Sequence, residues 1–330
     1  LNGIEQFNYW ALLPVLICLK EKEMKMKDLK WWRIALPVLV LVQVVIIFIF
    51  LSSAKPGSFQ IPSEIKTEYK AVKIPDEVFF AGEKMPLEQF DVREALDREL
   101  LSIAYFHSQT IRYLKLAPRF FPVIGTILKE QGIPDDFKYL AVAESGFNPR
   151  AASPAGAVGF WQFLETTAKE YGLEVNKEVD ERYHVEKSTY AFCKYLRESY
   201  NRYGSWTLAA ASFNGGMARV QSQQTRQKMT NFYDLLFVEE THRYVFRIAA
   251  LKLIMENPED YSFKISEDDK YPVIKTREVE INGPVNNFAD FAIEQGISYK
   301  LLKDFNPWLR DDKLTNSAGK KYIVKIPVLK

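Results

Sequence analysis

The chain has 330 residues, 44 basic against 42 acidic, for a formal net charge of +2, with 47% hydrophobic and 26% charged residues. That length allows about two domains of ~150 residues, the composition is that of a folded protein, and the small net charge gives no electrostatic reason to expect nucleic acid. Two cysteines (Cys18, Cys193) and three scattered histidines (His107, His184, His242) with no HxxxH pair exclude a disulfide framework and make a metal site improbable, and no phosphate-cradling glycine loop or GxGxxG pattern supports a nucleotide, so no cofactor is expected.

In chain order, residues 1–30 read as a cytoplasmic lead; the chain begins with Leu, and part of this segment is expected to be sequence upstream of Met24 or Met26. Ile34 to Leu51 then reads IALPVLVLVQVVIIFIFL without a charge. As a helix it spans ~27 Å, close to the hydrocarbon thickness of a bilayer. Trp31 and Trp32 stand at its entrance, and Lys20, Lys22, Lys25, Lys27, Lys30 and Arg33 outnumber the acids before it. Aromatic residues favour the interface and excess Lys/Arg stays in the cytoplasm, so residues 31–53 are expected to anchor the chain in the cytoplasmic membrane with the remainder outside. A signal peptide cut near Ser52-Ser53-Ala54, which would release a secreted form, and a buried core helix are the alternatives.

Pro56, Gly57, Pro62, Pro75 and Pro86 mark residues 54–87 as a linker. From 88 the pattern turns helical: FDVREALDRELLSIAYFH sets Val92, Leu96, Leu100, Leu101 and Ile103 three and four apart. Further helices are expected over 110–131, 135–145, 164–172, 186–203, 205–213 and 240–256, with no convincing strands among them. Residues 88–262 therefore form an all-α domain. Residues 271–328 change character: TREVEING and KKYIVKIP alternate as strands around two short helices, a βααβ module. The fold class is mainly α with this small C-terminal module.

Chemistry concentrates in AVAESGFNPRAASPAGAVGFWQF, residues 141–163. Glu144 ends the apolar run Tyr139-Leu140-Ala141-Val142-Ala143. Desolvation raises the pKa of such a carboxyl and suits it to general acid work. Taken alone, a lone Glu is more often a surface group at a helix end. Gly146, Pro149, Pro154, Gly156 and Gly159, however, specify an irregular, ordered loop of the kind that serves a site.

This stretch resembles the first signature of the lytic transglycosylases of glycoside hydrolase family 23, which have a goose-lysozyme-like fold. GIPDDFKYLAVAE and TTAKEYGL are similar to the family's membrane-bound D type. VDERYHVEKSTYAFCKYLRESYNRYGSW, LAAASFNGGMARV and EETHRYVFRIAAL resemble its later motifs, in the family's order. The resemblance implies Glu144 as the sole catalytic acid and base. It implies Ser145, Ser153, Gly156 and Phe163 as lining the substrate site, Gln162 and Asn214 as hydrogen-bonding an N-acetyl sugar, and Tyr244 as orienting Glu144. Each has a bland alternative: Gln162 as a loop tie, Asn214 as a left-handed helix-end residue, Tyr244 as a core tyrosine, Trp161 and Phe163 as packing. The chain departs from the family at Phe213, often Tyr, and at Trp161, often Met. The implied partner is the peptidoglycan glycan strand, cut between N-acetylmuramic acid and N-acetylglucosamine without metal or cofactor, in the bacterial cell envelope. Glycosidases usually use two carboxylates; a single one implies that the sugar's C6 hydroxyl attacks C1 and leaves a 1,6-anhydro end. A lysozyme-like muramidase and an inactive wall-binding scaffold are the alternatives. The C-terminal module resembles LysM, with Gly283-Pro284-Val285-Asn286 where relatives carry Gly-Asp-Thr-Leu; wall binding and a purely structural role both stay open.

Overall fold

The computed structural model describes residues 29–53 and 70–329. The chain divides into a unit ending at Tyr69 and a compact unit from Lys70 onward. In the first unit, helix α1 (Leu29–Ser53) runs for 25 residues, about 37 Å. Its described side chains, 36–48, are exposed throughout and cover only about 20 Å. Among the described residues no helix is long and apolar enough to cross a membrane. The side chains at both ends of the expected anchor, the lead before residue 29 and the linker over 54–69 lie outside the described residues.

In the second unit, the rest of the expected linker is packed chain rather than a tether. Strands β1 (Phe79–Phe80) and β2 (Glu83–Lys84) pair antiparallel. Their two-residue turn has positive φ at both Ala81 (53°) and Gly82 (80°), which matches the twist of a hairpin. Phe80 is fully buried beside Phe137, with ring centroids 5.2 Å apart. Strands this short leave no alternating pattern in the sequence. The hairpin also caps a helix, because the Glu83 carboxylate accepts bonds from Trp206 N (2.5 Å) and Thr207 N (2.9 Å). These are unpaired donors at a helix start, where negative charge is favoured.

The helical body comprises α2 (Phe90–Tyr105), α3 (His107–Glu130), α4 (Lys138–Ser145), α5 (Glu165–Glu170), α6 (Val185–Tyr203), α7 (Trp206–Gly215), α8 (Met217–Gln227) and α9 (Glu239–Glu256). All the expected helices are present, and α8 is an addition. Its sequence, MARVQSQQTRQ, buries only Val220, so it lacks the apolar periodicity that reveals a helix. Helix α9 packs on α2, α4 and α7. Ala209, Ala210 and Ala211 of α7 and Ala249 and Ala250 of α9 are fully buried, and these small side chains let the backbones approach closely. Cys193 on α6 is likewise buried, which pushes its thiol up to about 12; it is a core residue with no thiolate chemistry at neutral pH.

The C-terminal module has the expected order: β3 (Thr276–Ile281), α10 (Phe288–Glu294), α11 (Tyr299–Phe305) and β4 (Tyr322–Pro327). β3 and β4 pair antiparallel, Thr276 opposite Pro327 and Ile281 opposite Tyr322. The core under this sheet is not its own. Phe288, Leu302, Trp308, Leu309, Tyr322 and Val324 form one cluster with Val158, Val179 and Tyr183 of the helical body. Trp308 O accepts from Asp180 N (2.9 Å), and Glu178 O from Arg310 N (2.8 Å).

Candidate active site

Glu144 stands in the last turn of α4, whose Tyr139, Leu140, Ala141 and Val142 are buried. The helix stops at Gly146, in left-handed conformation at φ 57°, whose N–H donates to Val142 O (2.9 Å). A Cβ there would lie 2.8 Å from Tyr113 Cε1, so the close approach of α3 requires glycine as much as the φ does. Phe147 then also takes a positive φ, 63°. For a bulky side chain this costs about 1–2 kcal/mol. The cost is offset by burial: its ring stacks on Phe120 (5.6 Å, 15°) and meets Phe121 edge-on (5.3 Å). The chain therefore reverses immediately after Glu144.

The carboxyl is half-buried, and its Oε1 accepts the Tyr244 hydroxyl at 2.5 Å. Crowding by apolar neighbours raises its pKa from 4.5 to about 7; the Tyr244 hydrogen bond and the positive charge of Arg247 pull it down, and Glu240 adds a small push upward. Desolvation is the largest influence. The group is thus near half-protonated at neutral pH, able to give a proton and then to take one. Tyr244 is itself buried, and its own ionisation is pushed far up by the same burial and by Glu144. It stays a hydrogen-bond donor.

The loop after Glu144 is held from within and from below. Ser153 Oγ accepts from Ala157 N (3.1 Å), Ser153 N donates to Ala157 O (2.8 Å), and Gly159 N donates to Ala151 O (2.8 Å). Gly156 is exposed with φ 81°. Gly159 permits no other residue, since a Cβ would sit 1.9 Å from Arg182 O. Beneath the loop, buried Arg182 is held by Asp180 (Nη2–Oδ2 2.7 Å) and donates to Gly156 O (3.3 Å) and Phe163 O (3.2 Å). At its edge, Arg150 pairs with Asp304 (2.8 Å) and donates to Lys303 O (2.7 Å) of the C-terminal module.

The expected residues separate into those that meet the acid and those that hold its surroundings. Tyr244 meets Glu144 directly. Ser145 Oγ donates back to Ala141 O (3.1 Å). Gln162, with φ 50°, gives its amide nitrogen to Gly159 O (2.8 Å) and Ala151 O (3.3 Å), so its donor side is spent on the loop. Asn214 keeps a helical backbone, and the positive φ falls at Gly216 (85°). Its oxygen accepts from Thr241 Oγ1 (3.0 Å), one turn before Tyr244 on α9. Phe163 corrects the expectation: it is 2% exposed and packs edge-on against Phe213 (5.5 Å), so its ring supports the loop and is not open to a sugar. Trp161 is also core, stacked on Phe192 at 3.7 Å. Sequence reasoning missed Asp180, Arg182, Arg150 and Thr241. The run DERY offered an Asp-x-Arg pair as the only local signal. Among the described residues no group of three or more His, Cys, Asp or Glu is placed to hold a metal ion.

Residues 123–236 match the family model described as Transglycosylase SLT domain, and residues 277–330 match that of the Soluble lytic transglycosylase C-terminal LysM-like domain. The two matched segments follow one another in the order that the motif resemblance implies. Every expected site residue except Tyr244 lies inside the first match. Among relatives, it is 29% identical over 253 residues to the membrane-bound lytic murein transglycosylase D of Escherichia coli strain K12, a match covering 74% of this chain. The chain spans 54% of that relative's length. Solved structures with a partial likeness include an inactive mutant of the lytic transglycosylase Slt from Pseudomonas aeruginosa (17% identity, TM-score 0.35, covering 48% of this chain and 28% of that one). Another is the 70 kDa soluble lytic transglycosylase of Escherichia coli (21% identity, TM-score 0.36, covering 42% and 24%).

Proposed function

We propose that this protein is a peptidoglycan lytic transglycosylase in which Glu144 serves as both acid and base. The observation that carries the reading is the Glu144–Tyr244 pair: a carboxyl poised near pH 7 at the end of a buried helix, fixed by a hydroxyl from another helix. The other acid whose charge reaches it, Glu240, is exposed and paired with Arg247 at 3.2 Å, and offers no second catalytic carboxylate. Glu144 donates its proton to the bridging oxygen between N-acetylmuramic acid and N-acetylglucosamine. The bond from that oxygen to C1 breaks, and C1 takes on oxocarbenium character. The carboxylate then removes the proton of the same sugar's C6 hydroxyl, whose oxygen closes on C1 to leave a 1,6-anhydro end. Water is outcompeted by a nucleophile already held beside C1. Ser153, Gly156, the Gln162 oxygen and the Asn214 amide nitrogen are the groups proposed to meet the sugars. The apolar segment 34–51 and the membrane-bound relative support a place at the cell envelope, with α1 as anchor.

Digestion of purified peptidoglycan tests this. Wild type should give products one water lighter than reducing ends by mass spectrometry, and Glu144→Gln should lose nearly all turnover. A Glu144→Gln protein within tenfold of wild type defeats the assignment of the acid; reducing ends in place of anhydro ends would establish a muramidase.

A further inference from the structure

One buried acid near the site has no part in this mechanism. Glu99 on α2 is 1% exposed. Its Oε1 accepts from Arg243 Nε at 2.6 Å, and its Oε2 lies 3.5 Å from Arg247 Nε. Arg243 and Arg247 bracket Tyr244 on α9, the residue that holds Glu144. Arg247 has one other acid, Glu240 (3.2 Å). A cavity of about 210 Å³ opens at this cluster, lined by Glu99, Tyr113, Arg243, Arg247, Val142 and Ala143; Ala143 is the residue before Glu144.

We infer that Glu99 is a positioning residue for the acid: it ties Arg247 back against α2, so that the guanidinium does not pair with Glu144. The inference rests on Glu144 being the catalytic acid. A guanidinium in contact with a carboxylate stabilises its anion through charge-assisted hydrogen bonds. A Glu144 paired in that way would be ionised at neutral pH and unable to protonate a leaving group. Arg247 is near enough for its charge to act on Glu144, yet its Nε faces Glu99 and its Nη1 faces Glu240. The other charged or titratable groups around the cluster are Arg98 on α2, Tyr113 on α3, and Glu239, Glu240, Arg243 and Tyr244 on α9. Arg98 lies 3.8 Å from Glu99 and is paired with Glu239. Glu239 and Glu240 are exposed, so solvent and salt weaken their hold. Among the described residues, Glu99 is the buried acid that Arg243 and Arg247 share.

The test is a double-mutant cycle read as pH–rate profiles of the full chain on peptidoglycan. Glu99→Gln should move the alkaline limb down by about one pH unit, a tenfold loss of protonated enzyme well above the limb, while the acid-side plateau is kept. Arg247→Met should move the limb up, and Glu99→Asp should restore it. In the Arg247→Met background, Glu99→Gln should leave the limb nearly where it was. A Glu99→Gln loss that is equal at every pH overturns the inference, as does an equal shift in both backgrounds. Should Glu99→Gln fail to fold by circular dichroism, Arg247→Met decides alone, and a limb that stays or falls overturns the inference. Failure of the underlying assignment is seen separately, as turnover by Glu144→Gln.

Discussion

Replacing Glu144 with Gln should stabilise the protein, and by an amount that depends on pH. In the unfolded chain this carboxyl titrates near its ordinary value of 4.5, and in the folded protein near 7. Because the folded value is raised, the folded state holds the proton more tightly. At pH below 4.5 both states are protonated and there is no penalty. Between 4.5 and 7 the unfolded chain releases the proton while the folded one retains it, and stability falls. Above 7 the penalty is complete and constant. At about 1.4 kcal/mol per pH unit the gap sets an upper bound of about 3 kcal/mol. Glu144 is half-buried and keeps some solvent, so about 1–2 kcal/mol is expected, or roughly 2–4 °C in Tm for a folded unit of this size. Gln keeps an oxygen for Tyr244 and has nothing to ionise. Thermal unfolding of wild type and Glu144→Gln from pH 4 to pH 8.5 checks this. The Tm difference should open between pH 4.5 and 7 and then level off. A difference that is flat with pH, or that favours wild type above pH 7, refutes the picture of a desolvated acid.

Tyr244→Phe removes the first influence that holds the Glu144 pKa down; the alkaline limb of the pH–rate profile should move up, with at least a tenfold fall in kcat from the loss of orientation. Gly159→Ala forces a Cβ to 1.9 Å from a backbone oxygen and should cost more than about 3 kcal/mol by urea unfolding, whereas Gly156→Ala, with open space around it, should cost about 1 kcal/mol for its positive φ alone. Arg150→Ala in the full chain should lower kcat on soluble glycan strands and leave sedimentation with purified sacculi unchanged; a loss confined to sacculi would make the C-terminal module a wall anchor with no mechanical tie to the loop.

Most of the helical body was legible because its helices bury one face: Val92, Leu96, Leu100 and Ala104 of α2 recur at four-residue steps and are all buried. Glu144 was legible from the apolar run before it and the Gly/Pro-rich loop after it, but its pairing with Tyr244 only through motif resemblance, since the two are a hundred residues apart and no local rule pairs them. What failed has physical reasons. The 79–84 hairpin is too short for period-two alternation, and its turn is only two residues long. Phe163 looks like a sugar platform in sequence because nothing local says that Phe213, fifty residues on, covers it. Arg182 carries no local sign of burial in the sequence. Its burial depends on Asp180 beside it and on two loop carbonyls that come into place only after the chain has folded.

The shared core alters how the C-terminal module should be understood. A module tethered only to increase residence on the wall needs no contact with the loop that follows Glu144. Here Val158, between Ser153 and Gln162, packs in the same cluster as Trp308 and Leu309, and Trp308 O accepts from the N–H of Asp180, the residue that fixes Arg182 under the loop. Arg150 adds a second tie through Asp304. Positive φ values at Phe147, Gly156, Gly159 and Gln162 mean that the isolated loop sequence would not adopt this shape unaided, because non-glycine residues in that region must be over-determined by their surroundings. Part of that determination comes from residues more than 140 positions downstream.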